Sequence, residues 1–218
     1  MKNEVINRIL TSLVLLPALV FCLYNSGYYL ITFLSFIYLI SSYEIISNTK
    51  NLIFNFKSQI ILIFALYAFF YLRGHTNYSL IIIIWILLAT FLSDIGGYFF
   101  GRTFKGKKLT KISPNKTYSG SIGSIVLSLI SVIIVNSFQN YFFIKNLINF
   151  YELKYLCLTI VFSIICQIGD IYVSYWKRKI NIKNISNILP GHGGMLDRID
   201  GLIFVLIFSL AIKKIGLI

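Results

Sequence analysis

The sequence predicts an all-α, polytopic membrane protein: a transmembrane helix bundle of about seven spanning helices with two basic cytoplasmic loops. The first observation is composition, since 57% of the 218 residues are hydrophobic and only 12% are charged. Soluble domains carry about 25% charged residues, and one domain of this size could not bury so much apolar surface. The second is the recurrence of apolar runs of about 20 residues, the length that crosses a hydrocarbon core. We find no linker or repeat, which predicts a single integral membrane domain over residues 1–218.

The apolar runs define the expected spans in chain order. The third is the shortest, and it can begin earlier if the Lys57 side chain extends toward the membrane surface. The first is read as a retained helix rather than a cleaved signal, because further spans follow it closely. The seven predicted spans are Ile6–Leu23, Tyr28–Ile46, Gln59–Leu72, Ser79–Phe100, Ser119–Phe138, Leu153–Trp176 and Ile199–Leu217.

The basic residues predict the orientation. With the N-terminus inside, 15 of the 20 Lys and Arg residues fall on the cytoplasmic side and 5 outside. This distribution follows the positive-inside rule, although Lys213 and Lys214 count against it. The net charge of +13 has two interpretations, attraction to anionic lipid headgroups or binding of an anionic substrate, and both can hold.

The acidic residues concentrate where they are costly. All four aspartates (Asp94, Asp170, Asp197 and Asp200) lie in or beside predicted spans, toward the cytoplasmic ends. Each carboxylate in hydrocarbon costs about 2.5–3.5 kcal/mol, so we expect them to share a polar cavity, with Glu44 nearby. Ion pairs with Arg102, Arg198 or the loop lysines could account for one or two of these acids. A divalent cation would supply the remaining charge, and oxygen ligands favour Mg²⁺.

Two basic, Gly-containing loops accompany these acids, Gly101–Ser124 and Lys177–Asp200. Glycines 191, 193 and 194 would let backbone N–H groups approach a phosphate closely. Together with the carboxylates, the loops predict a site for a metal ion and a polyphosphate. His192 stays open between a solvated loop histidine and a site residue. The three cysteines (Cys22, Cys157 and Cys166) are interpreted as small apolar residues, since no spacing indicates a disulfide or metal set.

One ordered motif resembles a known signature. The pattern runs Ser174-Tyr-Trp-Lys177-Arg178, then Lys183, then Pro190-Gly-His192-Gly-Gly-Met-Leu-Asp197-Arg198-Ile-Asp200. It resembles the signature of the phosphatidate cytidylyltransferase (CDP-diglyceride synthetase) family. Upstream, Ser113-Pro-Asn-Lys116-Thr117-Tyr-Ser-Gly120 and Gln167-Ile-Gly169-Asp170 resemble two further family motifs. The chain departs from the family pattern at four positions, with Asn184 for Asp, Val173 for Glu, Ser119 for Glu and Asn115 for Lys.

The resemblance implies an activity and residue roles. The family transfers the cytidylyl group from CTP to phosphatidate, giving CDP-diacylglycerol and pyrophosphate for phospholipid synthesis. The implied catalytic residues are Asp170, Ser174, Lys177, Arg178, Lys183, His192, Asp197, Arg198 and Asp200. The implied substrate-binding residues are Arg102, Ser113, Pro114, Lys116, Thr117, Gly191, Gly193 and Gly194. The implied Mg²⁺ ligands are Asp170, Asp197 and Asp200, with Asp94 beside them.

The resemblance also implies the partners and the location. These are CTP, phosphatidate and membrane lipid, and a second copy in a homodimer, without nucleic acid. The location would be the bacterial inner (cytoplasmic) membrane, with the active site facing the cytoplasm.

Two alternatives stay open. A noncatalytic relative could bind lipid or nucleotide, as the departures allow. A cation-coupled transporter is disfavoured, because the predicted outer half lacks acids.

Overall fold

A computed structural model describes residues 2–49, 51–110, 113, 116–142, 147–182, 185–186, 188–191 and 193–218, with the backbone alone for 2–10 and 140–142. These residues form seven α-helices and no β-strand, which confirms the all-α prediction. The helices are α1 (Lys2–Asn25), α2 (Gly27–Asn48), α3 (Leu52–Arg73), α4 (Asn77–Phe104), α5 (Tyr118–Phe142), α6 (Leu153–Lys179) and α7 (Leu196–Lys214).

Five of these helices are long and apolar enough to cross a membrane: α2, α3, α4, α6 and the Tyr118–Gln139 part of α5. In α1 the described apolar portion is shorter, Thr11–Asn25. The charges of α7 lie near its ends, with Asp197, Arg198 and Asp200 at one and Lys213 and Lys214 at the other. The chain is therefore an all-α polytopic membrane bundle, in which five of the seven predicted spans have the length and hydropathy of a span.

Two helix boundaries differ from the sequence prediction in ways that matter for function. The third helix begins at Leu52 rather than Gln59, and the exposed Lys57 lies within it, as the alternative start required. The seventh begins at Leu196 rather than Ile199, so both Asp197 and Asp200 lie inside it. An apolar-run criterion misses these turns because it ends a helix at the first charged residue.

Glycines set the close packing of α4 against α5. A Cβ atom added to Gly120 would lie 2.7 Å from the carbonyl oxygen of Gly97, and one added to Gly96 would collide with the backbone of Gly123. Small residues allow the backbones of membrane helices to approach this closely. The end of α4 is consequently held against the start of α5, which brings Asp94 and Thr117 to one cavity.

An aromatic cluster fills the other half of the bundle. The fully buried Trp85 of α4 packs within 5.0–5.4 Å, between ring centroids, of Phe150, Tyr155 and Phe162. Its indole N–H donates to the Thr159 hydroxyl (3.1 Å), so the polar atom of this core is satisfied. Asp94 of α4 and Asp170 of α6 lie beyond this core, in the second half of each helix.

Candidate active site

A polar cavity of about 370 Å³ lies between the ends of α4 and α6 and the starts of α5 and α7. It gathers acids, a lysine, an arginine and hydroxyl groups from four helices and the loop before α5. The residues that line it are Asp94, Gly97, Tyr98, Leu109, Ser113, Lys116, Thr117, Gly120, Ser121, Ser124, Gln167, Asp170, Ser174, Asp197, Arg198 and Asp200. All four aspartates identified from the sequence therefore face one space.

Asp170 is paired with a lysine from another element. The Lys116 ammonium lies 2.8 Å from Asp170 Oδ2 and 3.4 Å from the carbonyl oxygen of Gln167. Both side chains of the ion pair keep about a quarter of their surface exposed (26% and 21%), so the pair faces the cavity rather than the packed core. An incoming phosphate could contact this ammonium, and an incoming cation could contact this carboxylate.

A second acid and a thiol lie beside Asp170. One ligand atom each of Asp94, Cys166 and Asp170 lies within 4.8 Å of the other two, and the Cys166 thiol donates to Asp94 Oδ1 (3.3 Å). From the sequence we interpreted Cys166 as a small apolar residue, but in the structure its thiol contacts the carboxylate of Asp94. Two carboxylates at this spacing fit a small divalent cation, and the hard ion Mg²⁺ would take their oxygens rather than sulfur.

Asp197 is bound on both carboxylate oxygens. Its Oδ1 accepts from the Lys177 ammonium at 2.9 Å, and its Oδ2 accepts from the backbone N–H groups of Ile185 (3.1 Å) and Gly194 (3.3 Å). These contacts join the end of α6, Ile185, Gly194 and the first turn of α7. The ion-pair alternative therefore accounts for Asp170 and Asp197, two of the four aspartates.

Glu44, which the sequence predicted near the polar cavity, has a different role. It is fully buried at the end of α2, and it accepts from the Ser186 hydroxyl and from the N–H groups of Met195 (2.8 Å) and Leu196 (2.9 Å). Unpaired N–H groups at a helix start favour a negative charge. Glu44 is therefore the cap of α7, supplied from a distant helix rather than from within the segment.

The glycine loop uses its N–H groups internally. Gly193 and Leu189 exchange backbone hydrogen bonds (2.9 and 3.1 Å), and Gly194 donates to Asp197. Gly191 and Gly193 have φ of 76° and 83°, which lie in the left-handed region that favours glycine. In this conformation Gly193 and Gly194 shape the turn, whereas the sequence predicted that their N–H groups would approach a phosphate.

The other sequence-predicted residues occupy varied positions. The Thr117 hydroxyl accepts from the N–H of Gly120 (3.1 Å) and so caps α5, while the backbone carbonyl oxygen of Ser113 accepts from the N–H of Lys116 (3.0 Å) in the preceding turn. Arg102 is exposed and donates to the hydroxyl of Tyr98 at 2.6 Å. Tyr98 lines the cavity, so Arg102 contacts it through that side chain. Arg178 is exposed at the end of α6 and is not among the residues that line the cavity. Pro114, Lys183 and His192 lie outside the described residues.

Two of the departures from the family pattern have clear surroundings. Val173 is 8% exposed and packs with Ile45, Leu62 and Trp176, and it is not among the residues that line the polar cavity. Ser119 donates to the carbonyl oxygen of Lys105. Asn115 and Asn184 fall outside the described residues.

Several polar residues of the cavity were not predicted from the sequence. The Ser121 hydroxyl donates to the amide oxygen of Gln167 (2.5 Å), and Ser124 lines the same wall. The signal was available in their spacing, because Thr117, Ser121 and Ser124 follow one another at intervals of four and three residues. Residues three and four apart share a face of a helix, so this hydroxyl row could have been assigned to the site.

The sequence matches the model of the Cytidylyltransferase family over residues 51–215. The chain belongs to the cytidylyltransferase family. The match begins just before α3 and covers every residue that lines the polar cavity.

Curated relatives agree with this membership. The chain is 41% identical over 140 residues to a phosphatidate cytidylyltransferase of Staphylococcus haemolyticus, covering 64% of this chain and 51% of the relative. It is 33% identical over 174 residues to one of Staphylococcus saprophyticus, covering 78% and 63%. It is 35% identical over 140 residues to one of Helicobacter pylori, covering 63% and 49%. The chain spans about half the length of the curated relatives it matches.

Proposed function

We propose that this chain transfers the cytidylyl group of CTP to phosphatidate, forming CDP-diacylglycerol and pyrophosphate. Family membership supports a cytidylyl transfer, and the names of the relatives supply phosphatidate as the acceptor. The observation that carries the proposal is that Asp94, Asp170 and Asp200 line the same polar cavity as Lys116 and Arg198. A nucleoside triphosphate with its cation requires both signs of charge in one place.

The reaction requires positioning and neutralisation of charge. An oxygen of the phosphatidate phosphate attacks the α-phosphorus of CTP, and a new P–O bond forms. The bond from that phosphorus to the oxygen bridging to the β-phosphate breaks, and pyrophosphate leaves. The Lys116 ammonium and the Arg198 guanidinium would bind phosphate oxygens, holding the two substrates in reacting positions. Lys177 would act through Asp197, to which it is bound.

The donor set of the cavity fits Mg²⁺. Asp94 and Asp170 offer oxygens close together, and Asp200 lines the same cavity. When bound, the ion would offset the negative charge of the phosphate oxygens. Asp197 was included among the ligands from the sequence. With Lys177 on one oxygen and two N–H groups on the other, we propose that it organises the site instead.

The location of the site suggests its side of the membrane. The cavity lies at the bundle end that carries most Lys and Arg residues, which the positive-inside rule assigns to the cytoplasm. CTP is a cytoplasmic nucleotide, so this side is the one the reaction needs. We therefore propose a bacterial inner membrane protein with its active site facing the cytoplasm, and we retain the homodimer as a prediction from the resemblance.

The test is synthesis of CDP-lipid by the purified protein. The protein in detergent is incubated with phosphatidate, Mg²⁺ and CTP labelled in its α-phosphate, and label is followed into the lipid phase. We expect labelled CDP-diacylglycerol, and its loss on chelation by EDTA. CTP binding without product would support a noncatalytic relative. If the protein neither binds CTP nor makes product, but proteoliposomes containing it take up a solute only in the presence of a cation gradient, the transporter alternative would be supported.

A further inference from the structure

A second cavity meets the polar cavity at Arg198. It has a volume of about 170 Å³ and lies among α1, α2, α3, α4 and α7. Its walls are apolar apart from Arg198, and they include Leu16 and Leu19 of α1, Phe33 and Ile37 of α2, and Leu202 of α7. We call this space the apolar cavity. Leu16 is 53% exposed, so one edge of the cavity lies at the surface that faces lipid.

The first turns of α7 separate the two cavities. Met195, Ile199, Leu202 and Leu206 line the apolar cavity, and their intervals of four, three and four residues define one helix face. Asp197 and Asp200 line the polar cavity from another face. Arg198 lies between these faces and lines both cavities.

An arginine at such a boundary suits an amphipathic anion. The guanidinium offers a planar fork of N–H donors that matches phosphate, while the three-carbon stem can lie along apolar surface. A lipid with a phosphate headgroup presents the same two chemistries side by side. A free nucleotide would have no use for the apolar cavity, and a neutral lipid would have none for the guanidinium.

We propose that phosphatidate binds across Arg198, with its phosphate in the polar cavity and the first part of an acyl chain in the apolar cavity. This inference rests on the proposed function and assigns the lipid-binding part of it to α1, α2 and α7. The remainder of the chain would extend past Leu16 into the bilayer. Since the family match begins at residue 51, α1 and α2 lie outside it, and acyl selectivity would come from a part of the chain that the family pattern does not define.

A substitution that fills the apolar cavity tests the proposal. Leu19→Trp places a larger side chain in the cavity, and Leu13→Trp is the matched control, since Leu13 lies on the same helix, 67% exposed and outside the cavity. We expect Leu19→Trp to raise the KM for long-chain phosphatidate about tenfold, the scale of a steric misfit in an apolar pocket. The KM for CTP should stay near wild type, as should the KM values for CTP and for long-chain phosphatidate in the control.

A second variant and a direct binding measurement complete the test. Ile37→Trp fills the same cavity from α2, so it replaces Leu19→Trp if that variant does not purify. Equal KM values for long-chain phosphatidate in wild type and filled variants, or the same rise in Leu13→Trp, would overturn the proposal. If the wild type makes no CDP-lipid, the proposed function fails, and equilibrium binding of tritiated dioleoyl phosphatidate decides this inference. Weaker binding in the filled variants alone supports it, and equal binding refutes it.

Discussion

At the scale of single residues, the acidic side chains of this protein have two different roles. Asp197 accepts from the backbone N–H groups of Ile185 and Gly194, and Glu44 accepts from those of Met195 and Leu196. Asp94 and Asp170 instead lie close together at the wall of the cavity. A carboxylate in hydrocarbon is costly in both cases, but Asp94 and Asp170 offer closely spaced oxygens at the wall of a cavity that a cation could enter.

The Glu44 cap can be tested by removing its charge. Glu44→Gln keeps one accepting oxygen but turns an amide NH₂ toward donors, so we expect a loss of about 2 kcal/mol in stability. The 185–194 loop should also become more sensitive to protease, and CDP-lipid synthesis should fall. Differential scanning fluorimetry and limited proteolysis measure the first two effects. The control is Glu152→Gln, since Glu152 is half exposed and pairs only loosely with Lys154 (3.8 Å); equal behaviour of the two variants would disprove the cap.

The thiol beside the acids gives a test of the metal ligands. If oxygen atoms hold Mg²⁺, Cys166→Ser should leave the Mg²⁺ concentration for half-maximal activity within about twofold of wild type. Asp94→Asn should raise that concentration about tenfold or more, because it removes a charged ligand. Activity titrated against free Mg²⁺ provides the measurement. A large shift in Cys166→Ser with none in Asp94→Asn would show that the thiol, not the carboxylate, contributes to the cation site.

At the scale of the helices, the contact between α6 and α7 sets the geometry of the cavity. Gly201 allows this contact, because an added Cβ atom would lie 2.7 Å from Asp170 Oδ1 and would also meet Cys166. Gly169 permits the same close contact from the α6 side, because an added Cβ atom would lie 2.7 Å from the ring of Phe204. The position of Asp170 relative to Asp200 therefore depends on two residues that have no side chain.

Gly201→Ala should separate these helices and reduce turnover at least tenfold, since a misplacement of about 1 Å can cost a hundredfold. The matched control is Ala211→Val, which adds carbon atoms to an exposed position of the same helix. Turnover of both purified variants should be compared at saturating CTP and phosphatidate. Normal turnover in Gly201→Ala would mean that the close approach of α6 and α7 is not needed for the site.

The start of α7 shows what a sequence can and cannot predict about a helix. The apolar run placed its start at Ile199, whereas the helix starts at Leu196 and includes both aspartates. Its cap, Glu44, is 151 residues away in sequence from Met195, so no local pattern could indicate it. The ordered motif did identify the aspartates, because the spacing of charged residues in a hydrophobic chain is visible without a structure.

At the scale of the whole molecule, composition was sufficient for the fold class and insufficient for the site. Apolar runs predicted the helices, and the concentration of acids at one end predicted a shared cavity. The pairing of Lys116 with Asp170, over 54 residues, depends on the packing of α5 against α6. The contact of Cys166 with Asp94 likewise depends on tertiary packing, which apolar periodicity does not specify.

The orientation of the whole bundle is a separate prediction. With Cys157 replaced by Ser, a cysteine introduced at Lys105 should react with an impermeant maleimide only after the inner membrane is opened. A cysteine at Tyr151, at the other end of the bundle, should react in intact spheroplasts. The distribution of basic residues is the physical reason. The opposite labelling pattern would place the cavity away from the CTP pool and remove the support for the proposed reaction.

The proposed transfer depends on the carboxylates of the polar cavity, which would hold the cation. The most direct measurement is the turnover of Asp170→Asn and Asp200→Asn, each purified and shown by scanning fluorimetry to be folded. Asn is close to Asp in size but carries no charge, so we expect turnover to fall by about a hundredfold or more in each variant. Asp197→Asn is less informative, because it would also disturb Lys177 and the loop. Near-normal CDP-lipid synthesis by both Asp170→Asn and Asp200→Asn would show that these carboxylates are not required for the transfer.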